Sequence, residues 1–183
     1  TGHVDLKFNI CDGLTFTTTN GIDFNDYKWY SLASKTVNGT TNMGNNNAQV
    51  MGLQSTNNLT YQHSWGDHNL TATGVWEATS RETRSMGIEG KDLAQEFVGY
   101  WNVKNAATRD ASNGYSKWTM LSGVARVMYN YADRYMLTGT LRADGSSRFT
   151  NKKWGYFPSV AAAWTVSNES FWEPMRNVVS NFK

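Results

Sequence analysis

Three ionisable residues close together in the chain are the first candidates for chemistry. His63, Asp67 and His68 carry imidazole and carboxylate groups, which are ordinary metal ligands in proteins. However, the two histidines flank a predicted tight turn, and no third ligand follows at a recognised spacing. The sequence therefore favours polar turn and interface residues over a metal site.

The other reactive side chains form no catalytic pattern. The single Cys11 excludes a disulfide framework within the chain and a cysteine zinc site. There is no Gly-x-Ser-x-Gly elbow between a strand and a helix, no phosphate loop and no dinucleotide fingerprint. Carboxylates such as Glu96 and Asp110 lie in predicted loops whose geometry the sequence does not fix, so no glycosidase pair is predicted. We therefore predict no enzymatic activity, no metal and no cofactor.

Composition excludes several other classes of protein. The chain has 183 residues, of which 39% are hydrophobic and 17% charged, and its net charge is +2. This charge gives no basic surface for nucleic acid, and the apolar content is too high for disorder. No run approaches the roughly 18 apolar residues of a transmembrane helix, whereas the half-polar strands of a membrane β-barrel remain compatible. The chain has neither an initiating Met nor a leader, which predicts an internal piece of a larger protein.

Apolar and polar residues alternate in seven segments, which predicts an all-β protein. The apolar phase of the last segment, for example, runs through Trp154, Val160 and Trp164. The predicted strands are His3–Ile10, Leu14–Ile22, Asn58–Trp65, Asn69–Thr79, Ser116–Tyr131, Tyr135–Asp144 and Trp154–Val166.

The connections between these strands alternate between short and long. In an antiparallel up-and-down meander, alternate connections lie at opposite ends of the sheet, so all short turns gather at one end. Outer-membrane barrels have this arrangement, with tight periplasmic turns and long extracellular loops. The predicted short turns are 11–13, 66–68 and 132–134, and the predicted loops are Asp23–Asn57, Ser80–Tyr115 and Gly145–Lys153.

Strand length and aromatic positions agree with a membrane barrel. The ten steps from Trp154 to Trp164 cover ~33 Å, which a tilt of about 40° reduces to roughly 25 Å, the height of the apolar band of a barrel. Two aromatic belts are predicted, the first from Trp65, Tyr129, Tyr131 and Tyr135, and the second from Trp118, Trp154 and Tyr156. Charged residues of the other phase fit a hydrated lumen, namely Asp5, Lys7, Glu77, Arg126 and Arg142.

Two alternatives stay open at this point. A soluble β-sandwich that binds carbohydrate would also show alternating strands, and it would bury Val160 and Trp164 between two sheets. The aromatic residues of the predicted loops either contact ligand or pack within their own loops. They are Tyr27, Trp29, Tyr30, Phe97, Tyr100, Trp101 and Tyr115.

One block of the sequence is more specific than these patterns. It contains Tyr131-Ala132-Asp133-Arg134-Tyr135 and, further on, Ala163-Trp164 with Ser167-x-Glu169-x-Phe171. Between them lie Asp144, Gly145, Ser146, Ser147, Arg148 and Phe149, followed by Trp154, Gly155, Tyr156, Phe157, Pro158 and Ser159. In order and spacing this block of about forty residues resembles the barrel of SusC/RagA-type TonB-linked outer-membrane transporters. The Trp65–Leu70 hairpin resembles the same family more weakly, and residues 1–55 match only in character.

The resemblance implies a partial segment of a large transmembrane β-barrel, with residues 1–183 forming about seven of its 22 strands. It implies import of glycans or other large nutrients such as peptides, energised through TonB and assisted by a SusD-like surface lipoprotein. The plug domain and the remaining strands would lie outside this chain. Turn chemistry favours an architectural role for the motif at 144–149 and 154–159, since Asp144-Gly145 opens a turn and Pro158 suggests a bulge or a local sheet edge.

Overall fold

The computed structural model describes residues 1–175 and 177–183, and the side chains at positions 38 and 98 are outside that description. The described strands form one seven-stranded sheet in which spatial order follows chain order. This confirms the predicted all-β meander. The strands are β1 (Gly2–Cys11), β2 (Leu14–Ala33), β3 (Asn42–Trp65), β4 (His68–Leu93), β5 (Ala106–Tyr131), β6 (Tyr135–Ser146) and β7 (Trp154–Trp164).

The helical elements are short. The four-residue helix α1 (Lys35–Asn38) lies between β2 and β3, where the Ser34 hydroxyl accepts a hydrogen bond from the Thr36 amide. Short segments of 3₁₀-helix follow at Glu96–Trp101, Val103–Asn105, Val166–Asn168 and Ser170–Met175. No helix in the described part of the chain is long and apolar enough to cross a membrane.

The three short turns have the predicted positions. Gly13 and Gly66 take positive φ angles of 78° and 55°, and so do Ala132 and Asp133, at 54° and 52°. Tight hairpins need this left-handed backbone because it matches the twist of the two strands. Backbone hydrogen bonds join the turns to their neighbours, for example from the Ala132 amide to the carbonyl of Asp67 in the adjacent turn at 2.7 Å.

The prediction that Asp23–Asn57 and Ser80–Tyr115 are long loops is wrong. β2 continues to Ala33, β3 begins at Asn42, β4 continues to Leu93, and β5 begins at Ala106. Only residues 34–41 and 94–105 connect these strands. Beyond a bilayer both faces of a sheet meet water, so the strands continue without the apolar alternation that reveals a strand in the sequence.

The chain divides into two compact units. The turn-side unit comprises residues 3–21, 54–79 and 119–183, and the loop-side unit comprises residues 1–2, 22–53 and 80–118. β3 has 24 residues, and β4 and β5 have 26 each. A barrel strand crosses a membrane in about 9–11 residues. Each of these three strands therefore extends well beyond one crossing.

In the turn-side unit, the apolar phase of β6 and β7 is exposed. Val160 is 80% exposed, Leu137 52% and Trp164 46%. The soluble-sandwich alternative, which requires Val160 and Trp164 to be buried, is therefore wrong. The register pairs Gly139 with Val160 and continues unbroken past Pro158. Pro158 thus causes no bulge toward β6, and it lies in the last strand of the described sheet, where a missing amide donor is tolerated.

The loop-side unit has a small core of its own. Met43, Leu93 and Ala106 are 4%, 7% and 2% exposed, and Tyr100 and Val103 of the 3₁₀ segments pack against them. A Cβ atom on Gly90 would lie 2.9 Å from the Ala106 Cβ. This close approach explains why a residue without a side chain occupies that position.

Candidate functional site

Small polar residues form a row across β2, β3, β4 and β5 of the loop-side unit, which we call the polar row. A Cβ atom on Gly44 would lie 2.6 Å from the Ser31 Oγ. One on Gly87 would lie 2.5 Å from the Asn46 Oδ1 and 2.8 Å from the Ser112 Oγ. The glycines therefore leave space in which hydroxyl and amide groups of the adjacent strands lie close to the sheet. The result is a surface of hydrogen-bonding groups with few bulky side chains.

Two aromatic residues share the face of the polar row. Tyr27 and Trp29 alternate with Ser31 along β2, so their side chains project from the same side of the sheet. Tyr27 is 53% exposed and Trp29 is 50% exposed. Exposed rings beside amide and hydroxyl groups can stack on the apolar face of a ligand while the polar groups bind its edges.

Of the remaining aromatic residues that were predicted to lie in loops, some pack against other rings and some are exposed to solvent. The ring of Tyr30 lies 4.9 Å from that of Tyr100 and 5.2 Å from that of Trp101, measured between centroids. Because Tyr100 also packs on the core of the loop-side unit, Tyr30 and Tyr100 follow the internal-packing alternative, whereas Trp101 is 70% exposed. Phe97 and Tyr115 are 87% and 65% exposed.

Three of the charged residues predicted to face the lumen, Glu77, Arg126 and Arg142, have polar partners in the turn-side unit. Arg142 Nε lies 2.7 Å from Asp144 Oδ2, and Arg126 Nε donates to Thr140 Oγ1 at 3.3 Å. On β3 and β4, the Thr56 hydroxyl lies 3.2 Å from a Glu77 carboxylate oxygen. Polar residues of four strands thus meet on one face, as a hydrated interior requires.

Aromatic rings line the opposite face near the short turns, where we call them the turn-side girdle. Trp65 stacks on His68 at 5.4 Å, and His68 contacts Tyr131 at 4.8 Å. Tyr131 stacks on Tyr135 at 6.4 Å, and Tyr135 on Trp164 at 6.3 Å. A continuous series of amphipathic rings across five strands is typical of a membrane interface.

The two histidines belong to this girdle rather than to a metal site. The ring of His63 stacks on Trp65 at 5.4 Å, and His68 Nδ1 lies 2.6 Å from the Tyr129 hydroxyl. Across residues 1–175 and 177–183, no three His, Cys, Asp or Glu side chains are grouped as metal ligands.

A carboxylate after β7 fixes the end of the girdle. Glu169 Oε1 accepts hydrogen bonds from the Tyr135 hydroxyl at 2.7 Å and from the Trp164 indole at 3.1 Å. Glu169 Oε2 lies 3.3 Å from Arg134 Nη1, and the Glu169 side chain is only 11% exposed. The Tyr135 hydroxyl, followed by the Trp164 indole and the charge of Arg134, lowers the pKa of Glu169 below its usual value.

This arrangement predicts a pH-dependent anchor. A carboxylate with a lowered pKa in the folded state stabilises that state above its unfolded pKa, and the stabilisation is lost as pH falls through the folded pKa. Glu169→Gln should therefore lower the midpoint of thermal unfolding at pH 7 by a few degrees, and this loss should shrink progressively as the pH is lowered to about 3. Thermal unfolding of both proteins in detergent between these pH values measures the difference. Glu173→Gln is the matched control. A loss of stability in E169Q that is the same at every pH would contradict the prediction.

The motif at 144–149 and 154–159 closes the connection between β6 and β7. The Ser146 amide donates to the Lys153 carbonyl at 3.0 Å. Ser147 exchanges two hydrogen bonds with Thr119, one to the Thr119 carbonyl at 3.0 Å and one from the Thr119 amide to the Ser147 hydroxyl at 2.9 Å. A Cβ atom on Gly145 would lie 2.9 Å from the Trp154 ring, which therefore covers this glycine. The architectural role predicted for the motif at 144–149 and 154–159 stays a prediction.

The polar row was not predicted, because its residues lie in the segments that were predicted to be the loops Asp23–Asn57 and Ser80–Tyr115. A signal was present, since small polar residues recur two positions apart as Gly44 with Asn46, Ser85 with Gly87, and Ser112 with Gly114. This is the period of a strand with one polar face.

Comparison with known proteins relates the chain to one class of receptors. It is 31% identical over 170 residues to the TonB-dependent receptor P3 of Formosa agariphila, an alignment that covers 90% of this chain and 17% of that receptor. It is 38% identical over 80 residues to the TonB-dependent receptor SusC of Bacteroides thetaiotaomicron, covering 43% of this chain and 8% of SusC. No family model matches the chain.

A solved structure has the same fold. The RagAB peptide transporter superposes with a TM-score of 0.83 at 19% identity, over 92% of this chain and 20% of the transporter chain. The chain thus spans a fifth or less of each of these three proteins. These relatives are receptors and not enzymes, in agreement with the sequence prediction. The aligned sequence, the shared fold and the exposed apolar face together show that this chain is a β-barrel segment of a SusC/RagA-type TonB-dependent receptor of the bacterial outer membrane.

Proposed function

We propose that the intact receptor imports oligosaccharides or other large nutrients such as peptides, and that this chain supplies part of the substrate-contacting wall. The observation that carries the proposal is the shared face of Tyr27, Trp29 and the polar row. Within the loop-side unit, this face combines exposed rings with hydroxyl and amide groups, which are the groups that a substrate-contacting wall needs.

The chemistry of this face suits a sugar better than an apolar ligand. Rings such as Trp29 stack on the C–H faces of pyranoses, while amides and hydroxyls bind their hydroxyl groups. Extended peptides can use the same donors and acceptors, and the related RagAB protein is a peptide transporter. We therefore place oligosaccharides first and peptides second.

The proposal includes two partners. A SusD-like surface lipoprotein would capture substrate above the barrel, and TonB would supply energy through segments outside this chain. Their support is the similarity to SusC and to RagAB.

Removal of one aromatic ring tests the substrate contact. Trp29→Ala in the intact receptor should weaken substrate binding roughly twofold to tenfold, the value of one aromatic contact of about 0.5–1.5 kcal/mol. Binding and uptake can be measured with labelled oligosaccharides from starch, xylan and β-glucan and with a labelled tryptic digest. Phe24→Ala, at a 54% exposed ring on the opposite face of β2, is the matched control. Equal affinities of the two variants and wild type for every probe would refute the contact.

A further inference from the structure

The connection between β6 and β7 differs from the other connections at its end of the sheet. β6 and β7 have 12 and 11 residues, close to one membrane crossing, whereas β3, β4 and β5 extend much further. In a barrel whose short turns face the periplasm, residues 147–153 emerge at the level of the outer lipid headgroups. We call these residues the basic connection.

The charge of the basic connection has one sign. Its sequence, Ser-Arg-Phe-Thr-Asn-Lys-Lys, contains Arg148, Lys152 and Lys153 and no acidic residue. When these three are set aside from the 17 basic residues of the chain, the remaining 14 are nearly balanced by its 15 acidic residues. Lys152 and Lys153 are exposed. Three positive charges within seven residues create a local field that attracts anions.

The neighbouring side chains suit a lipid environment. Phe149 is 60% exposed, Trp154 49% and Tyr156 67%. Trp154 and Tyr156 lie on the apolar phase of β7 together with Val160, and rings at the end of such a phase occupy the headgroup region. Lysines directly before these rings are therefore placed where lipid phosphates lie.

The basic connection is also held in a defined conformation. Ser146, the last residue of β6, donates its amide to the carbonyl of Lys153 at the end of the connection, and Ser147 is fixed to Thr119 by two hydrogen bonds. The Phe149 amide donates to the Ser146 carbonyl at 3.3 Å. A fixed backbone limits the entropy lost when charged side chains bind an anion.

We propose that the basic connection binds the phosphate groups of the glycolipid in the outer leaflet, with Lys152 and Lys153 as the contacting cations. The bound lipid would fix the β6–β7 hairpin at the outer surface while the girdle fixes it at the inner one. This interaction is separate from nutrient import, and it requires only the membrane position of the chain.

The test uses the intact receptor in nanodiscs that contain either bisphosphorylated lipid A or lipid A from which both phosphates have been removed. Retention of lipid A per receptor is measured with increasing salt. Wild type should retain the phosphorylated lipid more strongly, and Lys152→Gln with Lys153→Gln should weaken retention by about fivefold for each lysine. Lys91→Gln with Lys104→Gln removes the same charge from the loop-side unit and should have no effect.

Three outcomes would overturn the proposal. They are equal retention by wild type and the K152Q/K153Q variant, an equal loss in the K91Q/K104Q control, and displacement of the lipid by millimolar inorganic phosphate, which would indicate a site for free anions. A heat-induced shift in gel mobility, measured in dephosphorylated lipid, verifies that every variant is folded.

Discussion

Arginine in place of Val160 is expected to destabilise the receptor in a phospholipid bilayer by about 2–4 kcal/mol. Val160 lies near the middle of β7, between the rings of Trp154 and Trp164, and its side chain is 80% exposed. It pairs with Gly139 of β6, which has no side chain to shield a charge. Guanidinium at this depth must leave water without a compensating partner, which is the origin of the cost.

The matched control places the same arginine on the other face of the strand. Ala161 follows Val160, is exposed, and pairs with Thr138, so Ala161→Arg directs the charge toward the proposed hydrated lumen. Unfolding of both variants by guanidinium, measured by fluorescence in vesicles, should show a loss in V160R and little change in A161R. Equal losses in the two variants would show that the two faces of β7 do not differ in solvent, and the assignment of lipid and lumen would be wrong.

Residues between lipid and water were the most predictable part of the fold. In β6 and β7 one face meets hydrocarbon and the other meets water, so the sequence alternates and predicts the strands almost to their ends. β7, for example, ends at Trp164, two residues before the predicted Val166. Residues 42–57 of β3 do not show this alternation. Asn and Gly occur on both faces there, so the sequence has no apolar phase from which the strand could be predicted.

The candidate site was predictable only in part, and for a related reason. Charged residues such as Arg142 stand out against an apolar phase, and the structure confirms that Arg126, Thr140 and Asp144 share their face. The hydrogen bonds of Glu169 join β6, β7 and the segment after them. These bonds depend on the register between the elements, and no local sequence pattern predicts that register. The polar row depends in the same way on contacts between strands.

Alanine at Gly13 is expected to cost considerably more stability than alanine at Gly66, although both glycines lie in short turns and have positive φ. The left-handed backbone costs an alanine roughly 1–2 kcal/mol at either position. At Gly66 a Cβ atom would meet nothing within 4 Å, whereas at Gly13 it would overlap the carbonyl oxygen of Gln62. The Gly13 carbonyl also accepts a hydrogen bond from the Gln62 amide at 2.8 Å, so the β1–β2 turn cannot move away without losing it.

The added cost at Gly13 should be about 1–3 kcal/mol, as for other overpacked sites. Guanidinium unfolding of G13A and G66A in the same vesicles measures the difference between two substitutions that share the backbone penalty. Because the shared backbone penalty cancels, the difference in the free energy of unfolding between G13A and G66A reports only the contact of the β1–β2 turn with β3. Equal stability of the two variants would mean that the turn lies away from Gln62 in the membrane, and the close packing between the first hairpin and β3 would have to be revised.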